Sequence, residues 1–186
     1  DFLKKNDKAL KIINIGRLTQ QKDQITILKA VNILKKKKIP FKLLILGEGT
    51  EKQNLENYIE TNDLNKNVRL KKPEKNPFCL IKNSDLFILS SKYEGLPNVL
   101  LEAAVLKKLI ISTLCPTGPR EILMNGKGGL LYKTGDYENL AKKIIYCIKN
   151  KKKINSKVSY AYKNLNRFDY QKNLEKYSAI IKKYSD

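Results

Sequence analysis

The chain has 186 residues, 41% hydrophobic and 30% charged, a balance that fits one soluble domain with a substantial core and excludes a disordered or membrane-spanning segment. It contains no His, and its three cysteines, Cys79, Cys115 and Cys147, are widely spaced with no CxxC among them. That excludes zinc chemistry and a disulfide framework, points to a reduced, cytosolic protein, and removes the commonest general base near neutral pH. The net charge of +20 leaves nucleic acid or an anionic membrane surface open as partners. Lys, Asn and Ile are abundant together, however, and most lysines read as solvated surface. The basic runs 35–38 and 151–153 have little aromatic interleaving, which argues against a platform for stacking bases. The chain opens on Asp1 and not Met, as a piece of a longer protein would.

Residues 11–15 (KIINI) predict a β-branched strand ending at Gly16. Residues 22–38 carry Ile25, Leu28, Ala30, Val31 and Leu34 at helical spacing, closed by Pro40. A buried strand follows at 41–46 (FKLLIL), stopped by Gly47 and Gly49. The pattern from Thr50 to Gln53 reads as a capping box opening a helix to about Asn62. Further strands are predicted at 68–70, 86–89, 109–112 and 129–131. Helices are predicted at 77–83, 98–106 and 136–150, with two more near 154–164 and 170–184. Strands alternating with helices imply right-handed βαβ units around a parallel sheet covered on both faces. The fold class is therefore α/β: a Rossmann-like domain over residues 1–150, followed by C-terminal helices over 151–186 that pack on it. Such sheets bind ligands beyond the carboxyl ends of their strands.

Four segments follow those ends. Gly16, Arg17 and Lys22 surround a loop leading into a helix, suited to phosphate or else merely a basic surface loop. Gly47-Glu-Gly is a turn through which a ligand can approach the backbone, too short for a dinucleotide fingerprint. The stretch YEGLPNVLLEAA (93–104) places Glu94 in a turn, Asn98 as a helix cap, and Glu102 inside an apolar helix. A lone carboxylate there needs partners. It reaches back toward the carboxyl edge, where it can accept two hydrogen bonds from a vicinal diol such as a ribose, or else pair with a structural cation. Residues 113–121 form a rigid loop in which Arg120 and Glu121 pair or brace the site.

Together these residues resemble the C-terminal, donor-binding half of a retaining glycosyltransferase of family 4 with the GT-B fold. The matching elements are GRLTQQKD, LLILGEGTEKQNLE, the long run from VRLKKPEKNPF to EGLPNVLLEA, CPTGPREIL and GGLLYKTGDYENLAKKI. The resemblance implies that Arg17 and Lys22 neutralise a donor diphosphate and that Glu102 holds the ribose. It implies that Glu94 contacts the transferred sugar and that the backbone of Gly95, Leu96, Pro97, Asn98 and Val99 meets the pyrophosphate. Gly16, Gly47, Lys72 and Pro73 complete the donor set, the last two facing the nucleobase. Glu94, Arg17 and Lys22 are the catalytic candidates.

The implied reaction transfers a hexose or N-acetylhexosamine, with retention, from a nucleoside diphosphate sugar (UDP-sugar first) to a glycan or lipid-diphosphate-linked acceptor of surface polysaccharide. No cofactor and no metal are expected. The N-terminal acceptor domain is absent from this chain, so this piece alone is expected to be inactive. Peripheral contact with the inner membrane is expected, and nucleic acid is not. Two features depart from the family pattern. Thr117 replaces one of a frequent Gly pair, and Lys72 stands where many members have Gly. The alternatives are an interaction domain that has lost catalysis and a basic nucleic-acid-binding module.

Overall fold

The computed structural model describes residues 2–3 and 8–184. Apolar residues at consecutive strand positions drive opposite faces of one sheet into two separate cores. The strands are β1 (Leu10–Ile15), β2 (Phe41–Leu46), β3 (Val68–Lys71), β4 (Leu86–Leu89), β5 (Leu109–Thr113) and β6 (Leu130–Tyr132), all parallel, in the order β3-β2-β1-β4-β5-β6. Ile12, Leu43, Ile45, Leu86, Ile88 and Ile111 point into one core. Their neighbours Ile13, Leu44, Leu46, Phe87, Leu89 and Ile110 point into the other.

Helices α1 (Gln24–Lys36), α2 (Lys52–Thr61) and α6 (Tyr137–Lys149) cover the first face through Ile27, Leu28, Val31, Leu34, Leu55, Ile59, Leu140 and Ile144. Helices α3 (Phe78–Asn83), α4 (Asn98–Val105) and α5 (Pro119–Ile122) cover the second through Ile81, Leu100, Ala103, Ala104 and Ile122. Helix α7 (Lys151–Lys163) contributes Ile154 to one core and Ala161 to the other, so it packs on both layers. A 3₁₀ turn at Leu165–Phe168 leads into α8 (Tyr170–Tyr184), whose Tyr170, Leu174, Tyr177, Ile180 and Ile181 are exposed. The side chain of Tyr184, a third tyrosine expected on this helix, lies outside the described residues.

The chain winds outward from β1 to β3, then returns to the other side of β1 to lay down β4. The crevice of such a sheet opens where the winding reverses, between the carboxyl ends of β1 and β4. Pairing of these two strands stops at Ile13 and Phe87. Beyond it the side-chain amide of Asn14 donates to the carbonyl of Ile88 at 2.8 Å and holds the parting strands.

Several expected boundaries move, for local reasons. The helix expected over 22–38 is shorter at both ends, because Asp23 (φ 48°) and Lys38 (φ 55°) are left-handed and break the repeat. The capping box does not form. Helix α2 begins at Lys52 with no side-chain cap, and Gln53 turns outward to Asn57. The amide of Glu51, now at the cap position, donates to the carbonyl of Leu18 at 2.9 Å. Asn98 is not a cap either: it is the first helical residue, and Pro97 stands at the cap position with no side chain to offer. The last strand runs 130–132 and not 129–131, and α7 starts at 151 and not 154, with one residue, Asn150, between it and the end of α6.

Candidate functional site

Three loops are zipped together at the carboxyl edge by backbone hydrogen bonds. The amide of Leu18 donates to Glu48 at 2.8 Å, that of Glu51 to Leu18 at 2.9 Å, and that of Gly47 to Lys71 at 2.9 Å. This closeness requires glycine at 47, since a Cβ there would fall 2.0 Å from the carbonyl oxygen of Gly16. Gly16 itself has ordinary room around it. Lys72 and Pro73 are exposed on the neighbouring loop, where the Lys72 ammonium lies 3.8 Å from Glu48 and not against the acidic residues of the 93–104 stretch.

Across the switch point, residues far apart in the chain converge. The ammonium of Lys22 donates to Oε1 of Glu94 at 2.5 Å, with the two side chains 17% and 8% exposed. The hydroxyl of Ser91 donates to the same oxygen at 2.6 Å. The Ser90 hydroxyl donates to the carbonyl of Lys22, the amide of Lys92 to Gln21, and the side-chain amide of Gln21 to the carbonyl of Tyr93. These bonds fasten the loop after β1 to the loop after β4. The β5–α5 loop closes over the top: the hydroxyl of Thr117 donates to the main-chain carbonyl of Glu94. Gly118 (φ 57°) lies so close that a Cβ would sit 1.9 Å from the carbonyl oxygen of Gly95 and 2.6 Å from Pro97. Arg120 and Glu121 do not pair with each other. Arg120 bonds Asn125, and the carbonyl of Glu121 accepts from Arg167.

Arg17 and Glu102 stand apart from this network. Arg17 is exposed, and its guanidinium makes no ion pair or hydrogen bond among the described residues. The carboxylate of Glu102, half-buried on α4, likewise has no protein partner among them, so the structural pairing open to it in the sequence is not made. The first amides of α4 meet no side-chain cap; that of Leu100 donates to the carbonyl of Pro97 at 2.9 Å, and those before it have no intrahelical acceptor. Gly95, Leu96 and Asn98 are exposed and Val99 is half-buried, while Pro97 is buried under the Thr117 loop. Nothing lies within 4 Å of the position a Cβ would take on Gly95, leaving open space before the helix.

The sequence reading gave neither Ser91 nor Thr117 a role in the site, noting Thr117 only as a departure from a Gly pair. The only local signal was a pair of small hydroxylated residues, Ser90-Ser91, directly after β4. Cys115 is buried behind this loop. Burial pushes its thiol up, a hydrogen bond with Thr113 opposes this, and the charge of Glu94 adds to it, which disfavours the nucleophilic thiolate. Two cavities lie away from these residues. One of about 340 Å³ is lined by Thr19, Asp23, Gln24 and Glu51 beside the first loop. Another of about 500 Å³ opens at the opposite, amino edge among Leu10, Leu86, Leu109, Lys107 and Lys151. None of the sequence-predicted site residues lines either one. No group of three or more His, Cys, Asp or Glu side chains is gathered among the described residues, and none of their helices is long and apolar enough to cross a membrane.

Known proteins are similar to this chain in sequence and in fold. An uncharacterized glycosyltransferase of Methanocaldococcus jannaschii is 47% identical over 111 residues, covering 60% of this chain and 27% of that protein. The N-acetylgalactosamine-N,N'-diacetylbacillosaminyl-diphospho-undecaprenol 4-alpha-N-acetylgalactosaminyltransferase of Campylobacter jejuni is 33% identical over 136 residues, covering 72% and 36%. Among solved structures, a mutant of Staphylococcus aureus TarM in complex with fondaparinux, alpha-GlcNAc-glycerol and UDP superposes with a TM-score of 0.84 at 24% identity. It covers 95% of this chain and 37% of that one. The chain thus spans roughly a third of the length of the relatives it matches. Residues 1–164 match the family description "Glycosyl transferases group 1", and with the fold and the converging loops this places the chain in that family, as one Rossmann-like half of a GT-B glycosyltransferase.

Proposed function

We propose that the carboxyl edge of this domain binds a nucleoside diphosphate sugar, UDP-sugar first, as the donor of a glycosyl transfer that retains anomeric configuration. The observation that carries the reading is Glu102, a half-buried carboxylate with no protein partner, on a helix whose amino end is uncapped and faces open space at Gly95. A carboxylate in that setting has all its acceptor capacity available to a ligand. A ribose diol beside an open helix N-terminus supplies both the donors for Glu102 and an anion for the amides. Arg17, exposed and unpaired, and Lys22, a few residues on, supply the positive charge that a departing diphosphate needs. In this reading Glu94 meets the sugar, and Lys72 and Pro73 border the base. Gly16 and Gly47 let the loops close beneath the donor. These residues fit a reaction that proceeds with neither cofactor nor metal.

The names of the relatives support the substrate class. One transfers N-acetylgalactosamine to a diphospho-undecaprenol-linked glycan, and others are described for capsular polysaccharide and lipopolysaccharide core biosynthesis. The parent enzyme of this chain accordingly transfers a hexose or N-acetylhexosamine to a glycan or lipid-linked acceptor held by a second domain. It works at the cytoplasmic face of the membrane, to which the net charge of +20 draws it. The exposed apolar stripe of α8 fits a surface that packs on that second domain.

Calorimetric titration of the chain with UDP, GDP and ADP tests the donor site. Saturable binding of UDP is expected, weakened about tenfold or more by Glu102→Ala and by Arg17→Ala, since bonds to charged groups contribute roughly 1.5–3 kcal/mol each. UDP affinity that neither substitution changes would sink the assignment.

A further inference from the structure

Glu94 is held in an unusual way for a residue that meets a ligand. One of its oxygens, Oε1, accepts from both the Lys22 ammonium and the Ser91 hydroxyl, at 2.5 and 2.6 Å. The other, Oε2, has no hydrogen-bond partner among the described residues. Ser91 is itself fully buried (0% exposed), and its carbonyl is tied to β5 by the Thr113 hydroxyl at 2.7 Å. The main chain of Glu94 is gripped separately, through its carbonyl, by the hydroxyl of Thr117. Gly118 allows that loop to seat against Gly95 and Pro97.

We infer that Ser91 and Thr117 are positioning residues for the donor sugar: together they fix Glu94 so that its free oxygen, Oε2, accepts a hydroxyl of the transferred sugar. The inference rests on the donor-site reading above and assigns the specificity of that site to a rigid carboxylate. The physical reason lies in the competition for Lys22. An arriving diphosphate carries more negative charge than one carboxylate and draws the ammonium toward itself. A Glu94 held by Lys22 alone would lose its anchor at the moment the sugar arrives. The Ser91 hydroxyl is neutral and buried, and a phosphate does not compete for it. It therefore keeps Oε1 occupied in the loaded state and leaves Oε2 as the acceptor. Thr117 performs the same service for the backbone, which would otherwise follow any movement of the 93–98 turn. In this chain the residue departs from the frequent Gly pair of the family, so its hydroxyl adds a contact that a Gly there lacks.

The test compares ligands with and without the sugar on the same chain. UDP reports the nucleotide contacts alone, whereas UDP-glucose and UDP-N-acetylglucosamine add the sugar. In the unsubstituted chain, UDP binds and one of the two UDP-sugars binds more tightly. Ser91→Ala and Thr117→Val each leave UDP affinity within about twofold; Ser91→Ala weakens the better UDP-sugar about tenfold, the effect of removing one bond to a charged acceptor, and Thr117→Val about fivefold, its acceptor being a neutral carbonyl. Thr117→Ser, which keeps the hydroxyl at an exposed position, restores it. Equal losses for UDP and UDP-sugar would mean that the two residues only hold the loop, and would overturn the positioning role while leaving the donor site standing. No difference from the unsubstituted chain in either ligand would overturn it as well. Absence of UDP binding in the unsubstituted chain would overturn both readings at once. The Thr117 pair keeps the test decisive if Ser91→Ala fails to fold.

Discussion

Asp23 shows how a single side chain is constrained by the turn it closes. It sits at φ 48°, directly before α1, almost fully buried, and accepts a hydrogen bond from the Thr26 hydroxyl at 2.7 Å. Burial pushes its carboxyl pKa up from 3.8, outweighing the Thr26 bond and the charges of Lys92 and Lys29. A carboxyl whose folded pKa is raised binds its proton more tightly when folded. Its favourable contribution is thus complete below the unfolded value and is lost as pH rises through the folded one. Asp23→Asn removes the charge, tolerates the left-handed conformation and can still accept from Thr26. The expected result is a higher Tm at pH 7, with the gain shrinking on acidification and gone below about pH 3.8. Thermal melts at pH 7, 5 and 3 check the sign. A gain that grows toward low pH would contradict it.

At the scale of elements, the loops of the carboxyl edge are set by two glycines and left open by two others. A Cβ at Gly47 or Gly118 would strike a carbonyl oxygen at 2.0 or 1.9 Å, so backbone must move to admit it. A Cβ at Gly16 meets only the flexible Lys22 side chain at 3.6 Å, and at Gly95 it meets nothing. Gly47→Ala and Gly118→Ala are each expected to cost about 2 kcal/mol or more, the scale of backbone strain and overpacking. That corresponds to a Tm lowered by roughly 4–8 °C in a domain of this size. Gly16→Ala and Gly95→Ala are expected to melt with the unsubstituted chain. Gly95→Ala is still expected to weaken UDP, because its methyl group enters the space before α4. Differential scanning calorimetry of the four variants separates glycines that hold the fold from a glycine that leaves room for a ligand.

Across the whole molecule, α7 and α8 behave differently although both follow the sheet. Helix α7 is pinned by Ile154 and Ala161 in the two cores. Helix α8 shows Leu174, Tyr177 and Ile181 to solvent at 44%, 68% and 63% exposure. Apolar groups that fold without leaving water contribute little to the stability of this chain. Replacing these three by Ser is therefore expected to leave the Tm of the chain within about 2 °C, in line with surface substitutions. A large drop would show that the stripe packs on this domain.

The sheet was legible from residues alone, because unbroken apolar strands closed by Gly16, Gly47 and Gly49 admit few arrangements other than a covered parallel sheet. Helices α1, α4 and α6 were legible for the same reason: periodicity is a local property. So was the spacing of Glu94 and Glu102, with seven residues of turn and helix between them. What periodicity cannot report is where a helix yields to a competing backbone contact, as at Glu51, or to a left-handed residue, as at Asp23. Nor can it report that Lys22 and Glu94, 72 residues apart, meet on one oxygen with Ser91. That meeting exists because β4 lies beside β1, a consequence of the chain's return across the sheet. The residue types and their order were written locally. The site they form was decided by which strand ends the winding brings side by side.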